Sequence, residues 1–405
     1  MGHSRKDRGI LRELGEQVAE IGALPVNEQR RELHGRINNL EKAKPTFHIY
    51  EIPWHEMDVN DELKLRTEDP FCQGIERDLR RTLYLWRHMQ GDMVMEPVIV
   101  QPLCIHDTGL GITEKVDIAR TDEKSDVYSR HFHIQIKDEE DIEKIKMPEV
   151  TFDAERTEEE YQMRCDIFDG VLPVEKRGMP FEKKIYPWRS SERDTSFWFA
   201  PWDEIVRWTG IKEVLVDMFL RPDYVHSIID RMVDAWLHRL DQYERLGLLK
   251  APPVKFWGIG TAQIFAAVSP AMHEEFALRH EARWFERFGY NFYGCCEPLH
   301  HKVDILKKNI PRLRKISISA WVDFDEAVEN VGDDIVFAWK PNPAVLAASV
   351  WEPEAVRKDM EEKLEKAKDC IVDIHLKDIS TVRYQPQRLW EWAQIAAEVT
   401  EKYAL

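Results

Sequence analysis

The sequence predicts an α/β protein, a (β/α)8 TIM barrel with an N-terminal helical extension. Two observations carry this. After residue 200, short β-branched runs alternate with longer amphipathic patterns, the rhythm of a parallel sheet crossed by helices. None of those runs is followed by GxGxxG, so a doubly wound dinucleotide fold has no fingerprint here. The length of 405 residues suits one large barrel with additions. The expected division is a helical extension over 1–92 and the barrel over 93–405.

In order along the chain, Ile10, Leu11, Leu14, Val18 and Ile21 recur at helical spacing, and Leu33, Ile37 and Leu40 mark a second helix. A third is expected from about 70 to 90, where Ile75, Leu79, Leu83 and Trp86 share a face and Gly91 ends it. The first clear strand is Val94–Val100, running into a polar, Gly-rich stretch from Cys104 to Ile112. Residues 118–195 read as an elaborated barrel segment, with a strand-like piece at His131–Ile136 and a Pro- and Trp-bearing loop around Trp188. Helices follow at 202–220 and 222–246, then strands at Val254–Trp257, Asn291–Gly294, Ile316–Ser319, Ile335–Trp339 and Ile371–His375. Ser269-Pro270 opens a helix, with Ser as N-cap and Pro in the first turn.

Lys and Arg number 57 against 74 Asp and Glu, a net charge of −17 that argues against nucleic-acid partners and anionic membrane surfaces. No apolar run reaches the roughly 18 to 20 residues that span a bilayer. The start, MGHSRKDRGILRELGEQ, lacks the apolar core of a secretory signal, so a cytoplasmic address is expected. Six cysteines without CxxC spacing read as reduced thiols. A homodimer is the oligomer that barrels of this size often form through their outer helices.

In a barrel the chemistry sits at the C-terminal strand ends. One strand there runs into Cys295-Cys296-Glu297-Pro298, another contains His375, a third leads to Lys340, and the first leads to His106. Cys295 is either a soft metal ligand, its pKa lowered by the helix begun at Pro298, or a small buried filler. Glu297 is either the N-cap of that helix or a ligand, and His375 either a core group or a ligand and acid–base residue. Lys340 either binds an anion or reaches solvent. Trp198, Trp202, Trp257, Trp321 and Trp339 fill the core or wall the barrel mouth for a planar substrate.

The stretches Trp202–Leu248, Val268–Phe276 and Glu352–Arg357 resemble the uroporphyrinogen decarboxylase superfamily, over roughly residues 200–380. That resemblance implies (β/α)8 barrels of two kinds, porphyrinogen decarboxylases and zinc-dependent methyltransferases that exchange methyl groups with corrinoid proteins. The arginine-rich signature of the decarboxylases is absent. The His-x-Cys and later Cys of the zinc methyltransferases correspond to Tyr293, Cys295 and His375, so the resemblance implies a zinc site of Cys295, His375 and Glu297 with one open position.

Gly294-Cys295-Cys296-Glu297-Pro298-Leu299 and Trp339-Lys340-Pro341-Asn342-Pro343 resemble substrate-side methyltransferases of anaerobic demethylation. The implied reaction is O-demethylation of an aryl methyl ether, a small-molecule methyl donor, by a corrinoid carried on a partner protein. Tyr293, His106 or Lys340 would then donate a proton to the leaving oxygen. A decarboxylase-like lyase acting on a polycarboxylate, and a non-catalytic corrinoid-binding barrel, are the alternatives.

Overall fold

The computed structural model describes residues 4–120, 123, 124, 128–178 and 196–404; the loop around Trp188 lies outside them. The strands in chain order are β1 (Thr46–Ile49), β2 (Ile99–Pro102), β3 (Ile105–Asp107), β4 (Val116–Ala119), β5 (Ser129–Phe132), β6 (Val150–Phe152) and β7 (Val174–Arg177). They continue with β8 (Ser196–Phe199), β9 (Trp257–Gly260), β10 (Tyr290–Tyr293), β11 (Leu313–Ile318), β12 (Val336–Trp339) and β13 (Ile371–Leu376). Seven of these form one curled parallel sheet in the order β1-β13-β12-β11-β10-β9-β8.

The expected closed barrel is therefore corrected. Among the described residues β1 and β8 are edges with no hydrogen-bonded neighbour between them, and the sheet is a TIM-like half-barrel. β2 pairs in parallel with β7 outside this sheet, while β3–β6 and β4–β5 are separate antiparallel ribbons. The segment expected as the first strand, Val94–Val100, contributes only its end to β2. The first strand of the main sheet is β1, inside the stretch read as purely helical. His131–Ile136 is extended only at its start, in β5.

The C-terminal strands lie within three residues of their expected positions, because each is a short run of apolar, aromatic or β-branched residues between helical patterns. Ser269 caps its helix by accepting from the Met272 amide, and Asp69, followed by Pro70, caps Pro70–Met89 in the same way. The helix Arg5–Gly22 packs on Pro70–Met89, and its Leu11, Leu14 and Val18 join the same apolar cluster as the sheet residues Phe47, Ile316 and Ile374. Gly258 and Gly260 on β9 let the outer helix approach. A Cβ there would stand 2.6 Å from the Phe288 ring and 2.4 Å from Phe285 respectively. No helix among the described residues is long and apolar enough to cross a membrane.

Candidate active site

Alternation along each strand sorts its side chains onto two faces. On the outer face, Phe197, Phe199, Tyr293, Phe337 and Trp339 are buried against the helix layer. The concave face is unusually polar for a sheet centre: Lys315, Ser317, Asp373, His375, Thr46 and His48 all lie there, buried. Asp373 ties them together. Its Oδ1 accepts from Thr46 at 2.8 Å, and its Oδ2 accepts from Lys315 Nζ at 3.0 Å and His375 Nε2 at 2.7 Å.

Above this layer, at the C-terminal strand ends, stands Cys295. Gly294, with φ of +103°, makes the turn that carries the chain there, and a Cβ would meet Leu299 at 2.5 Å. The Cys295 carbonyl accepts from Lys340 Nζ and from Ser317 Oγ, both at 2.7 Å, and its Sγ accepts from Lys377 Nζ at 3.0 Å. The Cys296 thiol has one proton to give, for which Cys295 Sγ at 3.5 Å and Asp378 Oδ2 at 3.1 Å compete. That hydrogen bond and the charges of Lys340 and Lys377 bring the Cys295 thiol down to about 6, against the opposing effect of burial.

The two lysines diverge. Burial draws Lys340 below its ordinary value, only partly offset by Cys295. Burial also penalises Lys377, but Cys295, Glu51 and Asp378 outweigh it and hold Lys377 well above the usual lysine range. Glu51 and Asp378 lie just beyond the paired strands β1 and β13, where the Asp378 amide donates to Glu51 Oε2 at 3.0 Å. Both have positive φ, +51° and +57°, a local strain that clusters at functional sites.

The sequence-derived candidates divide against this geometry. Cys295 and Lys340 lie together, and Phe292 connects them to His375: its ring is 5.9 Å from Lys340 Nζ and 6.1 Å from the His375 ring. Tyr293 does not join them. It points into the helix layer, with its hydroxyl 2.9 Å from His273 Nε2 and 3.2 Å from Glu281 Oε2. Burial there lifts Glu281 to about 8 and lowers His273 to about 3. His106 is exposed on the separate β3–β6 ribbon.

Of the tryptophans, Trp202 and Trp339 are core, and Trp257 sits at the N-terminal end of β9 with Lys315 Nζ 5.3 Å from its ring centroid. Trp198, on the concave face of β8, is half-buried, and Trp321 is exposed after β11. A continuous tryptophan-walled mouth is not formed. The residues that sequence reasoning passed over are Lys377, Asp378, Glu51 and Cys296.

The implied zinc ligands do not fit one site. Glu297 is not a helix N-cap; it folds back so that Oε1 accepts from Thr261 and Oε2 from the Cys295 amide, both at 2.8 Å. His375 Nε2 is committed to Asp373. Among the described residues no group of three or more His, Cys, Asp or Glu side chains is arranged to hold a metal ion.

The thiolate has a direct test. Modification of Cys295 by methyl methanethiosulfonate, followed by peptide mass spectrometry, is expected to reach half its maximal rate near pH 6 and stay fast above it, because the thiolate persists above its pKa. Lys377→Met is expected to move that midpoint upward. A wild-type midpoint near the ordinary thiol value would refute the lysine clamp.

No protein-family model matches the chain, and no curated protein matches it. Among solved structures, it is similar to a methyltransferase from Methanosarcina mazei, with a TM-score of 0.54 at 12% identity, covering 92% of this chain and 98% of that one. That likeness spans nearly the whole of both chains and establishes a shared fold.

Proposed function

We propose that the protein is a corrinoid-dependent methyltransferase that moves a methyl group between a small substrate, an aryl methyl ether in the specific reading, and the cobalt of a partner corrinoid protein. The observation that carries this is the lysine pair around Cys295 at the C-terminal strand ends, one cation held firmly charged and the other lowered toward neutrality. The methyltransferase-like fold and the superfamily resemblance support it.

Breaking the methyl–oxygen bond of an ether leaves an electron pair on the oxygen, a poor departure unless that charge is neutralised. The reduced corrinoid on its carrier would supply the nucleophile that takes the methyl group. This chain supplies the rest. Lys377 remains an ammonium and stabilises the developing negative charge without giving up its proton. Lys340, whose ammonium is the stronger acid of the two, gives its proton to the departing oxygen. Environments that push two like groups apart in this way mark distinct roles. Trp198 and Phe292 offer apolar surface on the concave face. The side chains of Cys295, Glu297 and His375 do not converge on one point, so the charge stabilisation falls to the two lysines.

Incubation of the protein with cob(I)alamin and a panel of methoxyarenes is expected to yield methylcobalamin and the matching phenol, followed by visible absorption and chromatography. Absence of methylcobalamin with every donor would defeat the reading. Release of CO2 from a porphyrinogen would replace it with the lyase alternative.

A further inference from the structure

We propose that His226 and His280 form a two-histidine site for a divalent transition metal ion, nickel(II) or copper(II) by its geometry, bridging two helices of the outer layer. His226 lies near the start of the helix Pro222–Arg245 and His280 on the helix Arg279–Phe285. Their ring nitrogens face each other, His226 Nδ1 and His280 Nε2 being 2.9 Å apart. Both rings are partly open to solvent, and neither contributes to the site around Cys295.

The flanking groups say which nitrogens carry protons. His280 Nδ1 is 2.7 Å from Asp230 Oδ1, so its N–H donates there and a lone pair on Nε2 faces His226. His226 Nε2 is 3.7 Å from Glu275 Oε1, and Phe276 stacks on its ring at 4.7 Å, fixing its plane. In a neutral pair without an ion, His226 must use its one proton on Nδ1 to reach His280, which leaves the bare Nε2 turned toward a carboxylate. A cation between the rings removes that conflict. Both facing nitrogens become ligands, and both distal N–H groups point at carboxylates, the arrangement that orients metal-binding histidines.

The spacing, that of an ordinary hydrogen bond, is also compatible with cis ligation of one ion. Two metal–nitrogen bonds of about 2.05 Å at a right angle place the nitrogens about 2.9 Å apart, whereas a tetrahedral angle places them about 3.3 Å apart. The observed distance matches cis positions of a square-planar or octahedral ion, with water completing the shell. Two protein ligands make this weaker than a closed structural site. Arg283, whose Nη2 donates to Asp234 and whose Nη1 is 4.0 Å from Asp230, is the cation facing the cluster, and Asp230, Asp234 and Glu275 outnumber it.

Tag-free protein titrated with nickel chloride by calorimetry, and melted with and without EDTA, tests the proposal. One nickel per chain is expected, with a rise in Tm that EDTA reverses. His226→Gln and His280→Gln are expected to abolish both effects, and Asp230→Asn to weaken binding by about 10- to 100-fold. Cys295→Ala is expected to bind nickel as the wild type does, which separates this site from the proposed catalytic one. Failure of the wild type to bind nickel, or binding that persists in His226→Gln or disappears in Cys295→Ala, would overturn the assignment.

Discussion

Lys340→Met is expected to lower kcat for an unactivated aryl methyl ether by about 10²- to 10⁴-fold, the usual contribution of a positioned general acid. Methionine keeps the length of the side chain and removes its proton. The loss is therefore expected to shrink as the departing phenol becomes more acidic, because such an oxygen leaves without help. A merely structural lysine would depress all substrates alike. The pH profile gives the second readout. A general acid must be protonated, so wild-type activity is present below the pKa of Lys340 and falls as pH rises through it. Burial places that fall below the ordinary lysine value. In Lys340→Met the alkaline limb should vanish. Equal loss across all phenols with an unchanged limb would remove Lys340 from the chemistry.

Asp373→Asn is expected to cost about 3–5 kcal/mol of stability, read as a lower urea midpoint with unchanged slope. The isostere keeps the shape of the side chain but strips the counter-charge from Lys315, which is almost completely buried. Burial alone would raise the Asp373 carboxyl; His375, Lys315 and His48 overcome this and hold it well below the usual range. A depressed carboxyl contributes stability that is fully present above the unfolded value of about 3.9 and is lost as pH falls toward the folded one. The wild type should therefore lose this contribution in acid, whereas the variant has none to lose. Asp373→Leu combined with Lys315→Met is expected to recover much of the deficit, since removing both charges leaves neither stranded. A neutral effect of the single change would mean that water already shields Lys315.

The C-terminal strands were readable because Ile335–Trp339 and Ile371–His375 are dense β-branched or apolar runs between helices that carry their own start signals. β1 was not. Thr46, Phe47, His48 and Ile49 do alternate polar with apolar, but over only four residues, too few for periodicity to single out a strand between helical patterns. Cys295 could be singled out by its place after a strand. Lys377, Asp378 and Glu51 lie beyond strand ends, where residue type carries no periodic mark, and a positive φ at Glu51 or Asp378 is not announced by a glycine. The pairing of Asp373 with His375 had a signal in the sequence, since residues two apart on a strand share a face. Of the tryptophans, Trp202 and Trp339 went to the core, since large aromatic side chains fill cores as readily as they line pockets.

The pairing of β1 with β13 also governs when the molecule can exist at all. Thr46 and Asp373, whose side chains hydrogen-bond, are 327 residues apart. At about 5–20 residues per second, a ribosome needs roughly 16–65 s to make the second after the first. Throughout that interval β1 lacks its strand neighbour, and only Phe47, whose amide donates to Asp92 and whose carbonyl accepts from the Asp92 amide, has backbone partners from the N-terminal part of the chain among the described residues. Assembly of the mouth that holds Glu51 near Lys377 thus waits for the synthesis of β13, and until that strand docks the open edge of β1 is a template for mispairing.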